Sequence, residues 1–182
     1  TICISREFHV LASHSSSPVT DWLRGLLRHA HAEAGGKGVG TIGMCFSGNF
    51  ALSMMMEPAL LAPVLCQPSM PLPLGEERKA ALHVSPAEFQ CVKDRCAKGA
   101  KVLGLRFEGD KMSPPGKFEV LRRELGDAFE GIELEDKHAN PDSFGGQAHS
   151  VVTNDLIDKD GEPTKEAAKR VISFFVERLK AA

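Results

Sequence analysis

The sequence predicts an α/β fold, a mainly parallel sheet with helices on both faces. Two observations carry that expectation. Helical and strand-like stretches alternate along the whole chain, and the strand-like runs are short and continuously apolar, as strands covered on both sides are. Alternation forces crossover connections, and crossovers make neighbouring strands parallel. At 182 residues the chain is read as a single domain over residues 1–182.

The elements follow in order. Ser17-Pro18 supplies an N-cap with proline in the first turn, and Val19, Trp22, Leu23, Leu26, Leu27, Ala30 and Ala34 recur at helical spacing until Gly35-Gly36. Val39–Met44 is a buried-strand run, followed by small residues and a helical stretch from Phe46 to about Glu57. Ala62–Leu65 is a second strand, closed by Gln67-Pro68, and Ser69–Leu82 reads as a loop. Ser85-Pro86-Ala87-Glu88 has the form of a capping box, opening a helix through Phe89, Val92 and Cys96 that Gly99 stops. Lys101–Phe107 is a third strand, and Ser113-Pro114 opens a helix whose Phe118, Leu121 and Leu125 share a face. Phe129–Leu134 is a fourth strand. After an aperiodic stretch from Ala139 to Gly161, a last helix runs from Pro163 to about Leu179, with Ala168, Val171, Ile172, Phe175 and Leu179 as its buried stripe.

Apolar residues make up 42% and charged residues 25%, the proportions of a globular protein. The balance of 22 basic against 24 acidic residues gives −2, with no basic stripe, so nucleic acid is excluded as the expected partner. The longest apolar run, Ala59–Leu65, is broken by Pro63 and far too short to span a membrane. Thr1–Arg6 shows no signal-peptide pattern. Five cysteines, an odd number without a C-x-x-C pair, argue for a reducing compartment and against a zinc site or disulfide framework. The expected location is therefore cytoplasmic, with no metal and no membrane.

Ligands of such sheets bind at the carboxyl ends of the strands. There Gly43-Met44-Cys45-Phe46-Ser47-Gly48 has the shape of a nucleophile elbow with cysteine in the nucleophile's place. The turn needs small residues two before and two after the nucleophile, here Gly43 and Ser47. Helix amides behind Cys45 would lower its thiol pKa, and the Phe46 amide would help hold an oxyanion. Acid and histidine should follow, each on a loop after a later strand. Asp110, after Val102–Phe107, and His149, in Gly145-Gly146-Gln147-Ala148-His149-Ser150, fit that order. His138, among Asp136, Lys137 and Asn140, reads as surface.

With these three motifs, Gly43 to Gly48, Glu108-Gly109-Asp110 and Ala148-His149-Ser150, the chain resembles the dienelactone hydrolase family of the α/β-hydrolase fold from about Val39 to its C-terminus. The resemblance implies hydrolysis of carboxylic esters or lactones by a Cys45–His149–Asp110 triad through a thioester acyl-enzyme, with no cofactor. Ser47 stands where the family has glycine. Strands and an acidic residue that precede the elbow helix in the family have no counterpart here, so the fold is expected to be N-terminally shortened. Arg6 would correspond to an arginine that meets substrate carboxylates. A sheet edge left open in this way implies a homodimer with Thr1–Ala12 at the contact. The alternative reading is a non-catalytic remnant serving as a binding domain; a redox thiol protein is disfavoured by the lack of a resolving cysteine.

Overall fold

The computed structural model describes residues 17–69 and 80–180. Arg6, the Thr1–Ala12 segment and most of the expected Ser69–Leu82 loop lie outside these residues. The described elements are α1 (Pro18–Ala34), β1 (Val39–Met44), the short α2 (Phe50–Ser53), β2 (Leu60–Cys66), α3 (Pro86–Ala97), β3 (Val102–Phe107), α4 (Gly116–Leu125), β4 (Phe129–Leu134) and α5 (Pro163–Leu179). The four strands pair in the order β1-β2-β3-β4, every pair parallel. The predicted mainly parallel sheet is thus present.

Each strand is followed by a helix or helical turn that buries an apolar face. On one side of the sheet, Leu27 of α1, Leu52 of α2, Val92 of α3 and Phe118 and Leu121 of α4 form one cluster. On the other, Val171 and Phe174 of α5 pack against Val64, Leu103, Leu105, Phe107 and Val151. Gly104 in β3 shows how tightly the first side closes, because a Cβ there would lie 2.8 Å from ring atoms of both Phe118 and Phe129. Those two rings meet edge to face, 5.2 Å between centroids.

Capping chemistry placed the starts of α1 and α3. Ser17 Oγ accepts from the amides of Val19 and Thr20, and Ser85 with Glu88 forms the reciprocal capping box. The buried faces of two helices differ from the hydropathy stripe. In α1 the inward side is Thr20 and Leu27, with Arg24 reaching in to the Ser53 carbonyl at 3.1 Å, while Trp22, Leu26 and Val19 are exposed. In α5 the buried set is Thr164, Ala167, Val171 and Phe174, and Ile172 is exposed. The cause is shared: Thr20 donates to the Ser17 carbonyl, and Thr164 accepts from the Ile157 amide at 3.0 Å, so polar residues turn the first helical turn inward. Hydropathy counting leaves such residues out.

Two helix boundaries also move. The expected Phe46–Glu57 helix is composite: a 3-10 turn (Cys45–Asn49), α2, then a second 3-10 turn (Met54–Met56). Asn49 competes for the backbone there, its amide donating to the Phe46 carbonyl at 3.2 Å. α4 starts at Gly116 rather than at Ser113-Pro114, because Ser113 is bound elsewhere: its carbonyl accepts from Arg106 Nε at 2.7 Å and its hydroxyl donates to the Pro68 carbonyl at 3.2 Å.

Candidate active site

β1 ends at Met44, and Cys45 follows in the left-handed region at φ 54°, strained for a residue with a Cβ. The surroundings hold it there. A Cβ on Gly43 would fall 2.3 Å from the Ser47 carbonyl oxygen, so only glycine lets the chain turn back this sharply. Gly48 presses against Pro68, where a Cβ would meet Cα at 2.8 Å. Ser47 itself is exposed, and its hydroxyl folds back to donate to the Met44 carbonyl at 2.8 Å. Smallness is therefore demanded at Gly43 and Gly48 and not at position 47, which corrects the sequence expectation and explains why serine is tolerated.

The loop after β2 closes over the thiol. The Ser69 amide donates to the Cys45 carbonyl at 3.0 Å, and the Ser69 hydroxyl lies 2.9 Å from Cys45 Sγ. The loop after β3 brings Asp110, only 1% exposed, with Oδ1 accepting from the amides of Met112 (2.9 Å) and Ser113 (3.3 Å). Its Oδ2 lies 2.6 Å from His149 Nδ1. Gly109 is required beside it, because Asp136 accepts from the Gly109 amide at 2.8 Å and a side chain at 109 would collide with that carboxylate. Beyond β4, Asp155 gathers the histidine loop, its Oδ2 accepting from the amides of His149 (3.0 Å) and Ser150 (2.6 Å).

With Nδ1 committed to Asp110, the imidazole keeps its other nitrogen, Nε2, buried and without a hydrogen-bond partner among the described residues, on the side where its influence falls on Cys45. The neighbouring His149 holds the Cys45 thiol below the usual range; partial burial opposes it, and Ser69 and the Phe46 amide add to it. Burial would lower the histidine, but Asp110 and then Cys45 outweigh it and push His149 up to about 9. Thiolate and imidazolium therefore coexist between the lowered thiol value and about 9. The contrast with the other cysteines is plain: burial pushes Cys66 up to about 12 and also raises Cys96. Among these cysteines, Cys45 is the one whose surroundings favour the thiolate.

The structure thus brings Cys45, His149, Asp110 and the Phe46 amide together; Arg6 is outside the described residues, and His138 approaches Glu135 at 4.0 Å. Sequence reading missed Ser69 and Asp155. Their one signal was position, directly after a strand and in the histidine's own loop. An apolar groove of about 400 Å³ between α1 and β1, walled by Leu23, Leu27, Ile42 and Met54, reaches Gly43 and Ser47 but not Cys45, so it is separate from this site. No set of His, Cys, Asp and Glu among the described residues is arranged to hold a metal.

A parallel sheet with a strained cysteine turn after β1, an aspartate after β3 and a histidine before the last helix has the plan of an α/β-hydrolase-like fold. Among solved structures, the chain is similar to a crystal structure of Paleococcus ferrophilus monoacylglycerol lipase, with 15% identity and a TM-score of 0.52 over 90% of this chain and 76% of the lipase. No family model matches the chain, and no curated protein matches it.

Proposed function

We propose that this protein hydrolyses carboxylic esters or lactones through Cys45. The observation that carries the reading is the relay from the Cys45 sulfur to His149 and on, at 2.6 Å, to the buried Asp110. The Cys45 thiolate attacks the carbonyl carbon, and the Phe46 amide, already hydrogen-bonded to the sulfur, is placed to hold the developing oxyanion. The carbon–oxygen bond to the leaving group then breaks, and His149 Nε2 gives that alkoxide its proton. Water attacks the thioester, His149 takes the water's proton, and the thiolate leaves with the acid product released. Asp110 fixes the imidazole's orientation throughout. The mechanism calls on no cofactor.

The ester half of the reading is supported by the likeness to a lipase, and the lactone half by the resemblance of the three motifs to dienelactone hydrolases. Its setting belongs to the same proposal: a cytoplasmic enzyme, its Cys45, Cys66, Cys91 and Cys96 free thiols, associating as a homodimer along the β1 edge. Hydrolysis of a chromogenic short-chain ester, lost in Cys45→Ala, is the test. A protein that folds and shows no turnover of short esters or lactones contradicts it.

The pH dependence follows from the charges. Free enzyme reacts as thiolate and imidazolium, so kcat/KM rises with pH as Cys45 ionises below the ordinary thiol range and falls as His149 loses its proton near 9. The same pair bears on folding: a histidine raised in the folded state adds stability that is complete below its ordinary value and is lost as pH rises through about 9.

A further inference from the structure

Behind the elbow lies a lysine with no ordinary reason to be there. Lys117, in the first turn of α4, is 2% exposed. A cation is disfavoured at the positive end of a helix, and an ammonium taken out of water needs an anion. No carboxylate among the described residues lies within ion-pair distance of it. Its Nζ donates instead to a neutral oxygen, Asn49 Oδ1, at 2.7 Å.

Asn49, itself buried, turns this contact toward the nucleophile. Its amide nitrogen donates to the Ser69 carbonyl at 2.8 Å and to the Phe46 carbonyl at 3.2 Å. Beside His149, Phe46 and Ser69 are the residues that act on the Cys45 sulfur, one by its amide and one by its hydroxyl. Nearby charges are otherwise engaged. Asp110 is held by His149, and Arg106 by Glu133, the Ser113 carbonyl and the Glu108 carbonyl.

We propose that the Lys117 ammonium is the buried counter-charge of the Cys45 thiolate, tethered by Asn49 to the two residues that hold the sulfur. It is a positioning residue, not a group that touches substrate. The proposal rests on Cys45 being the ionised nucleophile, as in the function proposed above. One further effect agrees with it: against burial, which brings Lys117 down to about 7, the opposing influence is the negative charge on Cys45. Each charge therefore favours the other, and the pair is present from the lowered thiol value up to about 7.

Alkylation of Cys45 by iodoacetamide, followed by peptide mapping across pH, tests this without any substrate. Cys45 also faces His149, backed by Asp110, and these stay in place in Lys117→Met, which keeps the length of the side chain. Near pH 6, where Lys117 is charged, Lys117→Met should slow alkylation about tenfold, one pKa unit's worth. At about pH 9 the lysine is neutral and the two rates should converge. Asn49→Asp, which keeps Lys117 but gives it a carboxylate partner, should slow the low-pH rate in the same direction, and it serves if the methionine variant does not fold. Lys117→Arg, which keeps the charge, should recover most of the low-pH rate.

Equal slowing at both pH values, or none, would overturn the proposal, since a purely structural loss has no reason to follow the lysine's charge. The two readings fail separately. A wild-type protein without esterase activity whose Cys45 profile still shifts with Lys117 defeats only the proposed reaction; an active esterase with an unshifted profile defeats only the counter-charge.

Discussion

The carboxyl ends of the strands and the flank formed by α1 and β1 obey opposite rules. At the strand ends, polar groups are buried: Asp110 is 1% exposed, and Asn49, Ser69, Lys117 and Asp155 are as deeply covered. On the flank, apolar groups are exposed, with Trp22 at 66% and Leu26 and Ile42 also open, beside a strand with no further partner in the described sheet. Buried hydrogen bonds at the strand ends over-determine the backbone, and that is what can hold Cys45 at a positive φ. On the flank such bonds are, among the described residues, confined to the first turns of α1, at Ser17, Thr20 and Arg24. Strain and charge collect where partners are many, and sticky surface collects where they are few.

The sharpest way to break the comparison is to remove the sulfur. Cys45→Ala should abolish ester turnover, at least about a thousandfold, while leaving thermal stability nearly unchanged. Cys45→Ser should also lose most of kcat, because a hydroxyl depends on His149 for a proton removal that the thiol barely needs. Steady-state kinetics beside a melting curve check both. Asp110→Asn comes next: losing the carboxylate lets the imidazole choose the wrong tautomer, and kcat should fall by about 10²–10⁴, with pH profiles showing His149 losing its proton at lower pH. Stability effects are smaller. Gly43→Ala, with its Cβ 2.3 Å from a carbonyl oxygen, should cost about 2–4 kcal/mol in urea unfolding, whereas Ser47→Gly should lie within about 0.5. Asp155→Ala should cost about 1–3 kcal/mol by orphaning two amides of the histidine loop. The flank should respond least in fold and most in assembly. Trp22→Ser and Leu26→Ser should change stability by about 0.5 kcal/mol or less, yet shift the light-scattering mass of a homodimer toward the monomer. A wild-type protein that is monomeric at micromolar concentration contradicts the proposed association.

Much of this was legible in the sequence, and the boundary of legibility is physical. Strands came from continuous apolar runs and the starts of α1 and α3 from caps, because both are local. The three residues of the proposed triad came from motif order: a glycine turn with cysteine, an aspartate after β3, a histidine before the last helix. What stayed hidden were buried polar residues whose partners are distant in sequence. Thr20 and Thr164 rotated two helices away from their hydropathy stripes. Asn49, Ser69, Lys117 and Asp155 build the floor and back of the site across separations such as 68 residues between Asn49 and Lys117. Polar residues give no periodic signal, and only the folded sheet brings them together.

The central claim is that the Cys45 sulfur takes the acyl group. It is tested most directly by mixing the protein with a chromogenic acetate ester, quenching in acid during the first turnovers, and mapping the peptides by mass. The account predicts one added acetyl group on the peptide containing Cys45, absent in Cys45→Ala and trapped for longer in His149→Ala if that variant acylates at all. An active enzyme whose acetyl group sits on another residue, Ser69 or Ser47 above all, or that turns over undiminished in Cys45→Ala, would contradict it.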